Sequence, residues 1–360
     1  MPRLALAALL LVLVVAGCGI AGTAKIEAPV TVYVSLPLTG PHGADGRDAA
    51  DGVRLALEQA EGKAGSIQVR ATYLDDAKGK VWDPVAVGAN ARQAVQDSSA
   101  AAYIGELDSE PTRASVPITN DAGLVQISPG AGGVDLTQPA VGYPNSPDRY
   151  QPSGTPSFAR TVPADDVVVN AAASWASELG ATQAAVTSDG SAFQNLAASE
   201  FKSAATEHGV QVMPGKPPSE VAVASNADKQ AVYEPGSQRL TLYGTASGTY
   251  SLSAELDPSR LPGKGFASQF EQRFNRPPGP YAAYGYEAMG LVLQAIRGAG
   301  TDASSFRDNV RNGVFGAHRD GTVLGSYAIT SEGDTTECAI QRYRTQGSGS
   351  APLGAPCPPH

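Results

Sequence analysis

Histidine and cysteine, the side chains that most often bind transition metals, are scarce in this sequence. There are four His and three Cys among 360 residues. None of them stands at the spacing of a known metal-binding motif. The sequence therefore predicts no metal centre, and we expect no cofactor.

Charged residues are also few, at 17% of the chain, where about 25% is typical of globular proteins. Hydrophobic residues make up 42% of the chain, and ample apolar content with low charge argues against disorder. The length of 360 residues suggests two domains or three. The net charge is −9, whereas nucleic-acid binding needs many Lys and Arg facing phosphate. We therefore expect no nucleic-acid partner.

The apolar run Leu4–Val15 near the N-terminus is shorter than the roughly 20 residues that a bilayer requires. It is typical of an export signal. The residues Val15-Ala16-Gly17-Cys18 that follow resemble the bacterial lipoprotein signal. This resemblance implies a signal peptide over 1–17, a lipid on Cys18 and a tether over 18–29. The protein would then sit on the extracytoplasmic face of the cell membrane. The alternative is an ordinary signal peptide with an incidental Cys.

Cys338 and Cys357 remain as a pair if the mature chain begins at Cys18. Outside the cytoplasm, an even number of cysteines indicates a disulfide. It would attach the Pro-rich C-terminal tail to the last strand. The alternative is two free thiols. Neither Cys stands in a recognisable motif with a His, so we assign neither a nucleophilic role.

Strand and helix patterns alternate along the first third of the chain. Alternating β-branched residues predict a strand over 30–36, and a helical apolar stripe follows over 48–60. The same pattern continues with strands over 67–74, 101–104 and 124–127 and helices over 85–95 and 112–122. Such alternation predicts a parallel sheet with helices on both faces.

A second α/β unit is predicted after a long Gly- and Pro-rich loop over 128–156. Its elements are helices over 165–179 and 192–208 and strands over 184–187 and 210–213. From 214 to 265 the pattern weakens to one strand, over 239–243. The remaining predictions are helices over 265–274 and 281–297, strands over 323–329 and 339–343, and a loose tail over 346–360.

Four segments resemble, in the same order, parts of one family. They are SLPLTGP at 35–41, YIG through QISPGA at 103–131, FARTVP at 158–163 and PYAAYGYEA at 280–288. The family is the type I extracytoplasmic solute-binding proteins, in its branched-chain amino acid branch, which are the receptors of ABC importers. The resemblance implies two α/β lobes joined by three crossings, with the ligand in the cleft. Lobe one would be 28–157 plus 281–320, and lobe two 158–250 plus 322–345.

The resemblance also implies which first-lobe residues bind the ligand. Ser109 would offer its hydroxyl to a carboxylate at a helix N-terminus, and the alternative is a plain helix cap. Ser128, Gly130, Ala131 and Gly132 would form a second binding loop, or a Gly-rich turn without a ligand. In the family, the Ala131 position gives a carbonyl to the ligand ammonium. The Gly132 position is normally Thr, so a donor is lost here.

Three further residues would face the ligand, according to the same resemblance. His42 and Asp45 lie in the first loop, where the alternative is simple solvation. Phe193 stands where the family often has Tyr, and the alternative is a core position. Family members usually carry two further strand–helix units in the region 214–265, and this chain lacks room for them. The strand that supplies an acidic partner for the ligand's amino group would then be absent. We find no confident replacement among Glu220, Asp228 and Glu234, so an unmodified α-amino acid is a doubtful ligand.

The function implied is a membrane-anchored receptor that gives a small polar solute, an amino acid or a related compound, to an ABC permease. The alternative is a lipoprotein of the same fold that has lost transport and serves as a sensor or envelope interaction partner. No G-x-S-x-G, H-E-x-x-H, P-loop or dinucleotide-binding motif occurs in the sequence. We therefore do not expect an enzyme.

Overall fold

A computed structural model describes residues 24–213, 229–244 and 247–358. Cys18 and the predicted signal peptide lie outside the described residues, as do Glu220 and Asp228. No helix among the described residues is long and apolar enough to cross a membrane.

The first sheet is built from the N-terminal part of the chain. Its strands are β1 (Val30–Leu36), β2 (Lys63–Ala64), β3 (Ile67–Asp75), β4 (Ala100–Ile104), β5 (Gln126–Ser128) and β6 (Phe158–Arg160), in the order β2-β3-β1-β4-β5-β6. Every neighbouring pair is parallel except β2 with β3. All residues of β1 are buried, as expected for a parallel strand covered by helices on both faces. The predicted parallel sheet is confirmed.

Helices cover both faces of this sheet. They are α1 (Gly43–Gln59), α2 (Pro84–Gln96), α3 (Ser109–Asp121) and, from the C-terminal third, α6 (Phe266–Phe274), α7 (Ala282–Gly298) and α8 (Phe306–Val314). Helix α1 packs against α7 so closely that a Cβ at Gly52 would lie 1.9 Å from the carbonyl oxygen of Ala282. Helix α2 begins at the cap residue Asp83, whose side chain accepts from the N–H groups of Val85 and Ala86.

The sixth strand corrects the predicted boundary between the lobes at residues 157 and 158. Phe158–Arg160 pairs in parallel with Gln126–Ser128 and completes the first sheet. The chain crosses to the second sheet just after it, over 161–164, and passes between the sheets again over 254–265 and 329–340.

The second sheet combines a parallel part with an antiparallel one. The strands are β7 (Ala181–Val186), β8 (Gln211–Val212), β9 (Lys229–Glu234), β10 (Arg239–Tyr243), β11 (Gly248–Ser253), β14 (Gln341–Gln346) and β15 (Gly349–Gly354), in the order β15-β14-β11-β10-β9-β7-β8. Only β7, β8 and β9 are mutually parallel. Helices α4 (Asp165–Glu178) and α5 (Ala192–Glu207) pack with this sheet.

The antiparallel part occupies the region where the sequence pattern weakened. Strands β9, β10 and β11 form a meander joined by short connections. Antiparallel neighbours need only a tight turn, whereas each parallel neighbour needs a crossover of a dozen or more residues. The sheet is thereby widened with fewer residues than further strand–helix units would take.

The C-terminal tail is not loose, in contrast to the sequence-based expectation. Strand β15 (Gly349–Gly354) pairs with β14 along its length. The disulfide Cys338–Cys357 spans these two strands, which confirms the predicted pairing of the cysteines. A separate hairpin, β12 (His318–Thr322) with β13 (Gly325–Ala328), precedes them.

Candidate ligand cleft

The long connection after β5 in the first lobe meets the start of α5, which follows β7 in the second lobe: a Cβ at Gly142 would lie 3.4 Å from that of Ala192. The loops after β1, β4 and β5 belong to the first lobe, and those after β7 and β9 to the second. In open α/β sheets, ligands bind at the carboxyl ends of the strands. The cleft between the two lobes is therefore the candidate site.

Ser128 shapes the second predicted binding loop from a fully buried position. Its hydroxyl donates to the carbonyl oxygen of Glu106 at 2.6 Å and accepts from the N–H groups of Ala131 at 2.8 Å and Gly130 at 3.2 Å. Because its proton is committed to Glu106, Ser128 holds the turn and has no hydrogen to donate to a solute.

Arg160, the last residue of β6, lies fully buried beneath the same loop. Its guanidinium donates to the carbonyl oxygens of Ala131 and Gly133, each at 3.0 Å. The Ala131 carbonyl, which the resemblance assigned to a ligand ammonium, therefore already has a cationic partner. Sequence reasoning missed this role of Arg160, although the residue stands in the FARTVP segment.

Ser109 is the first residue of α3, and Asp108 occupies the cap position without a side-chain cap bond. The Ser109 hydroxyl accepts from the N–H group of Gly133 at 2.9 Å. The structure thus joins two segments that the sequence placed in one site. The hydroxyl keeps its own proton for another acceptor, so its role as a ligand donor stays a prediction.

Gly132 is in direct contact with the second lobe. The N–H of Asp165 donates to the Gly132 carbonyl at 2.8 Å. A Cβ at Gly132 would lie 2.3 Å from Oδ1 of Asp165. A Thr, the usual family residue, would collide with that carboxylate, which gives a physical reason for the glycine. Burial raises the pKa of Asp165 to about 6, although the positive charge of Arg160 acts to lower it.

Phe193, the second residue of α5, lines a small cavity between the lobes. The cavity volume is about 10 Å³, roughly the space of a single water. The other walls of this cavity include Gly133, whose N–H donates to the Ser109 hydroxyl, together with Asp165 and Leu196. In this arrangement of the lobes, Phe193 and Gly133 enclose almost no space, and none of the predicted first-lobe site residues lines this cavity.

Arg113 and its partners fill the place next to this cavity. The guanidinium donates to both carboxylate oxygens of Asp135, at 2.8 and 2.6 Å. It also lies over the ring of Tyr143, with 4.7 Å between the guanidinium carbon and the ring centroid. Tyr150 donates its hydroxyl to Asp135 at 2.6 Å. Sequence reasoning missed this group because its members meet only through the folding of the long loop over 128–156.

The opposite end of the cleft is acidic. His42 and Asp108 are paired, with Nδ1 and Oδ2 2.9 Å apart. Burial and the nearby Asp48 raise the pKa of Asp45, which lies half-buried in the first turn of α1. Glu255, on the second crossing, accepts from the Tyr281 hydroxyl, and burial raises the pKa of its carboxyl. The structure therefore brings His42 and Asp45 towards one acidic region.

Two fully buried carboxyl groups lie below this region. Glu106 accepts from the hydroxyls of Tyr103 at 2.7 Å and Ser35 at 3.1 Å. Neither carboxyl oxygen of Asp76 has a hydrogen-bond partner among the described residues. Burial and the neighbouring charges raise the pKa of Asp76 to about 8, and burial and Asp76 raise that of Glu106. Asp76 is therefore largely protonated at neutral pH.

Glu234 is the one described member of the three acids considered as partners for an amino group. It ends β9, and its carboxylate accepts from Arg239 at 2.8 Å across the β9–β10 turn. That ion pair already neutralises it. Among the described residues, no group of three or more His, Cys, Asp or Glu is placed to hold a metal ion.

The comparison with known folds agrees with this architecture. Leucine-binding protein LivK from Thermotoga maritima matches with a TM-score of 0.67 at 18% identity, over 91% of this chain and 99% of that chain. A solute-binding protein of an ABC transporter from R. palustris, in complex with benzoate, matches with a TM-score of 0.65 at 17% identity, over 92% and 97%. LivJ from Streptococcus pneumoniae, in complex with isoleucine, matches with a TM-score of 0.62 at 16% identity, over 91% and 100%.

Family membership follows from the sequence itself. No curated protein sequence matches the chain significantly. The family model described as periplasmic binding protein matches residues 29–227, more than half of the 360 residues. The two-lobed α/β architecture, with its three crossings and its cleft at the strand ends, is the one expected of such a receptor. The chain belongs to the periplasmic binding protein family.

Proposed function

We propose that this protein is a membrane-anchored, extracytoplasmic solute-binding receptor of an ABC importer. It takes a small polar solute, an amino acid or a related compound, between its two lobes. The observation that carries this proposal is the contact between the loop after β5 and the start of α4 on the second lobe, through Gly132 and Asp165. A solute that replaces this contact would bridge the same two segments.

Entry of a solute requires the lobes to separate. The cavity of about 10 Å³ beside Phe193 is too small for any amino acid. Hinge motion is the usual way in which two-domain binding proteins admit and trap a ligand. The three chain crossings, over 161–164, 254–265 and 329–340, are where such a hinge would act.

A carboxylate-bearing solute fits the first-lobe loops. The structural relatives named above bind leucine, isoleucine or benzoate, which all carry a carboxylate. In this chain, Ser109 retains a hydroxyl proton to donate, and the N-terminus of α3 adds a favourable dipole. Arg113 stands beside the cavity, although Asp135 neutralises it.

The membrane anchor and the partner follow from the same role. Cys18 is the proposed lipid attachment site, and lipid attachment keeps a receptor close to a permease without a spanning helix. The partner is the permease of an ABC importer. The family binds solutes and is not an enzyme family, and we propose that this member binds its solute without turning it over.

The experiment is a thermal-shift screen of the protein lacking residues 1–25. The panel holds branched-chain and other amino acids, small amides, urea, benzoate and simple carboxylates. A ligand that binds only the folded state stabilises it by about 2.7 kcal/mol at 100 times its Kd. Isothermal titration of the best compound then gives its Kd for the wild type, for Ser109→Ala and for the exposed control Ser268→Ala.

The receptor role predicts a saturable ligand, weaker binding by Ser109→Ala and unchanged binding by Ser268→Ala. Small-angle X-ray scattering should also show a smaller radius of gyration with the ligand than without it. A folded protein that responds to no compound in the panel would contradict the role of a receptor for such solutes.

A transport-inactive lipoprotein of the same fold is a second candidate. The observation that favours it is that the chain itself fills the cleft, through Arg113, Asp135 and Tyr143 and through the Gly132–Asp165 contact. Such a protein would act as a sensor or an envelope interaction partner. It predicts no ligand response and a scattering profile that fits the closed arrangement at every solute concentration.

A further inference from the structure

A pocket with both apolar and acidic walls lies outside the cleft, in a groove on the second lobe. It runs between α4 and α5 and has a volume of about 480 Å³. That volume is within the range of roughly 300–1,000 Å³ that holds a small organic ligand. Pro139 and Val141 of the long first-lobe loop close one side, and Cys338 with Pro358 close another. The disulfide thus fixes the tail as part of the wall.

The walls of the groove combine apolar and polar side chains. Val167 and Val169 come from α4 and Leu196 from α5. Val141 reaches over from the first lobe, and 68% of its surface is exposed. An exposed valine at the rim of a groove costs free energy in water and gains contact when an apolar group enters. The groove therefore suits a ligand with a compact hydrophobic part.

The charges in the groove are all of one sign. Asp166, Glu200 and Glu207 contribute carboxyl groups, and the described lining residues include no Lys, Arg or His. Burial, with the charges of Asp166 and Asp165, raises the pKa of Glu200 to about 7. A cation entering beside Glu200 would relieve this repulsion and favour the ionised carboxylate.

We propose that this groove is a binding site for a small amphipathic organic cation, whose apolar body packs against Val141 and Leu196 and whose ammonium group pairs with Glu200. Apolar walls without carboxyl groups would suit a neutral compound, and carboxyl groups on a flat polar surface would suit only hydrated ions. The combination in one groove selects an amine with a hydrophobic part. The proposal does not depend on the proposed receptor function.

The groove draws its walls from both lobes. Val141 belongs to the connection between β5 and β6 of the first sheet, whereas Leu196 and Glu200 belong to α5. Leu196 and Glu200, one helical turn apart on α5, also line the small cavity beside Phe193. A ligand in the groove would therefore favour the arrangement of the lobes in which Val141 faces α5.

The test uses isothermal titration of the protein lacking residues 1–25 with phenethylamine, which is cationic at pH 7.5. Two probes of similar size are compared with it: neutral 2-phenylethanol and anionic 3-phenylpropanoate. The proposal predicts saturable binding of the amine, at least about tenfold tighter than the alcohol, which corresponds to about 1.4 kcal/mol. No binding is expected for the anion. Equal binding of all three probes, or no heat from the amine at millimolar concentration, would overturn the proposal.

Variants then locate the site. Glu200→Gln keeps the shape of the side chain and should weaken amine binding about tenfold or more, while Glu271→Gln on the exposed surface of α6 should leave it unchanged. Ser203→Trp adds a large side chain at an exposed groove position of α5 and should abolish binding. Thr206→Trp, exposed on the same helix but outside the groove lining, is its matched control.

These outcomes separate the groove from the cleft. If Ser203→Trp and Thr206→Trp bind the amine equally, the site is elsewhere and the proposal is wrong. Loss of amine binding in Ser109→Ala, with Ser203→Trp unaffected, would place the amine in the interlobe cleft and equally reject the groove. Failure of the solute screen would leave the groove result untouched, because its probe and its variants are different.

Discussion

Nε of Arg160 lies 2.9 Å from Oδ1 of Asp334, which joins the last strand of the first sheet to the third crossing between the lobes. The same guanidinium holds the carbonyl oxygens of Ala131 and Gly133. Asp334 in turn accepts from Thr137 at 3.0 Å. One buried ion pair therefore fixes both the binding loop and a crossing segment, so the shape of the cleft depends on it.

Replacing Arg160 tests this dependence. Arg160→Met keeps much of the side-chain volume but leaves two loop carbonyls and Asp334 without their cation. Breaking a buried pair from one side typically costs about 3–5 kcal/mol. We expect a loss of this order in the free energy of unfolding, measured by urea denaturation. Arg260→Met, which removes an exposed pair with Asp257 at 3.6 Å, should change it by less than about 1 kcal/mol. Equal losses in the two variants would contradict the structural role.

Gly132 tests the contact between the lobes. Gly132→Ala would place a Cβ 2.3 Å from Oδ1 of Asp165, and overpacking of this kind costs typically about 1–3 kcal/mol. We expect a lower melting temperature and a larger radius of gyration in X-ray scattering. Asp165→Ala removes the clashing carboxylate. Adding Gly132→Ala to Asp165→Ala should therefore lower the melting temperature much less than Gly132→Ala does in the wild type. A double variant in which the two losses simply add would show that the clash is not the cause.

Asp76 predicts a specific dependence of stability on pH. Its pKa is raised to about 8 in the folded protein from 3.8, so the folded state binds more protons than the unfolded state between these values. Its contribution to stability is fully present below about pH 4 and is lost as the pH rises through about 8. Asp76→Asn carries no titrating group, and its melting temperature relative to wild type should therefore rise between pH 4 and pH 8.5.

The size of the Asp76 effect is on the order of a few kcal/mol at pH 8.5. Asp121→Asn, at an exposed position of α3, is the control and should follow the wild-type curve. A constant difference between Asp76→Asn and wild type at every pH would contradict the raised pKa.

The disulfide Cys338–Cys357 predicts a redox-sensitive tail. It closes a loop with a sequence separation of 19 residues, for which chain entropy gives about 3 kcal/mol of stabilisation. Reductant should lower the urea midpoint of wild type, whereas Cys338→Ser/Cys357→Ser should start lower and be insensitive to reductant. Because the tail also walls the groove, phenethylamine binding should weaken in the same variant. Insensitivity of the wild-type midpoint to reductant would contradict the prediction.

Much of the fold was predictable because local pattern and tertiary role agree. The strand Val30–Leu36 is apolar and β-branched because it is buried on both faces. Strands β9 and β11 were missed because polar residues interrupt their apolar ones, Gln230 in β9 and Thr249 and Ser251 in β11. Strand β15, with the sequence GSAPLG, has little strand propensity and forms through its pairing with β14.

The candidate site was predictable in part. The resemblance placed Ser109, Ser128, Gly132 and Phe193 in one cleft. The structure joins Ser109 to Gly133 by a hydrogen bond and places Gly133 and Phe193 around one small cavity, and ligand binding by these residues stays a prediction. Their contacts were not predictable from it. Whether the Ala131 carbonyl is free depends on Arg160, 29 residues further along the chain, and no local pattern encodes such a pair.

The sequence by itself determined the α/β class, the tandem units and the family, because hydrophobic periodicity and short motifs are local properties of the chain. Only the tertiary structure decided how much space the cleft contains and where the charges stand. The pairing of Arg113 with Asp135, the approach of Asp165 to Gly132 and the groove beside Glu200 all join segments distant in sequence. Such contacts arise from the packing of whole elements, which fixes distances that no single segment of sequence specifies.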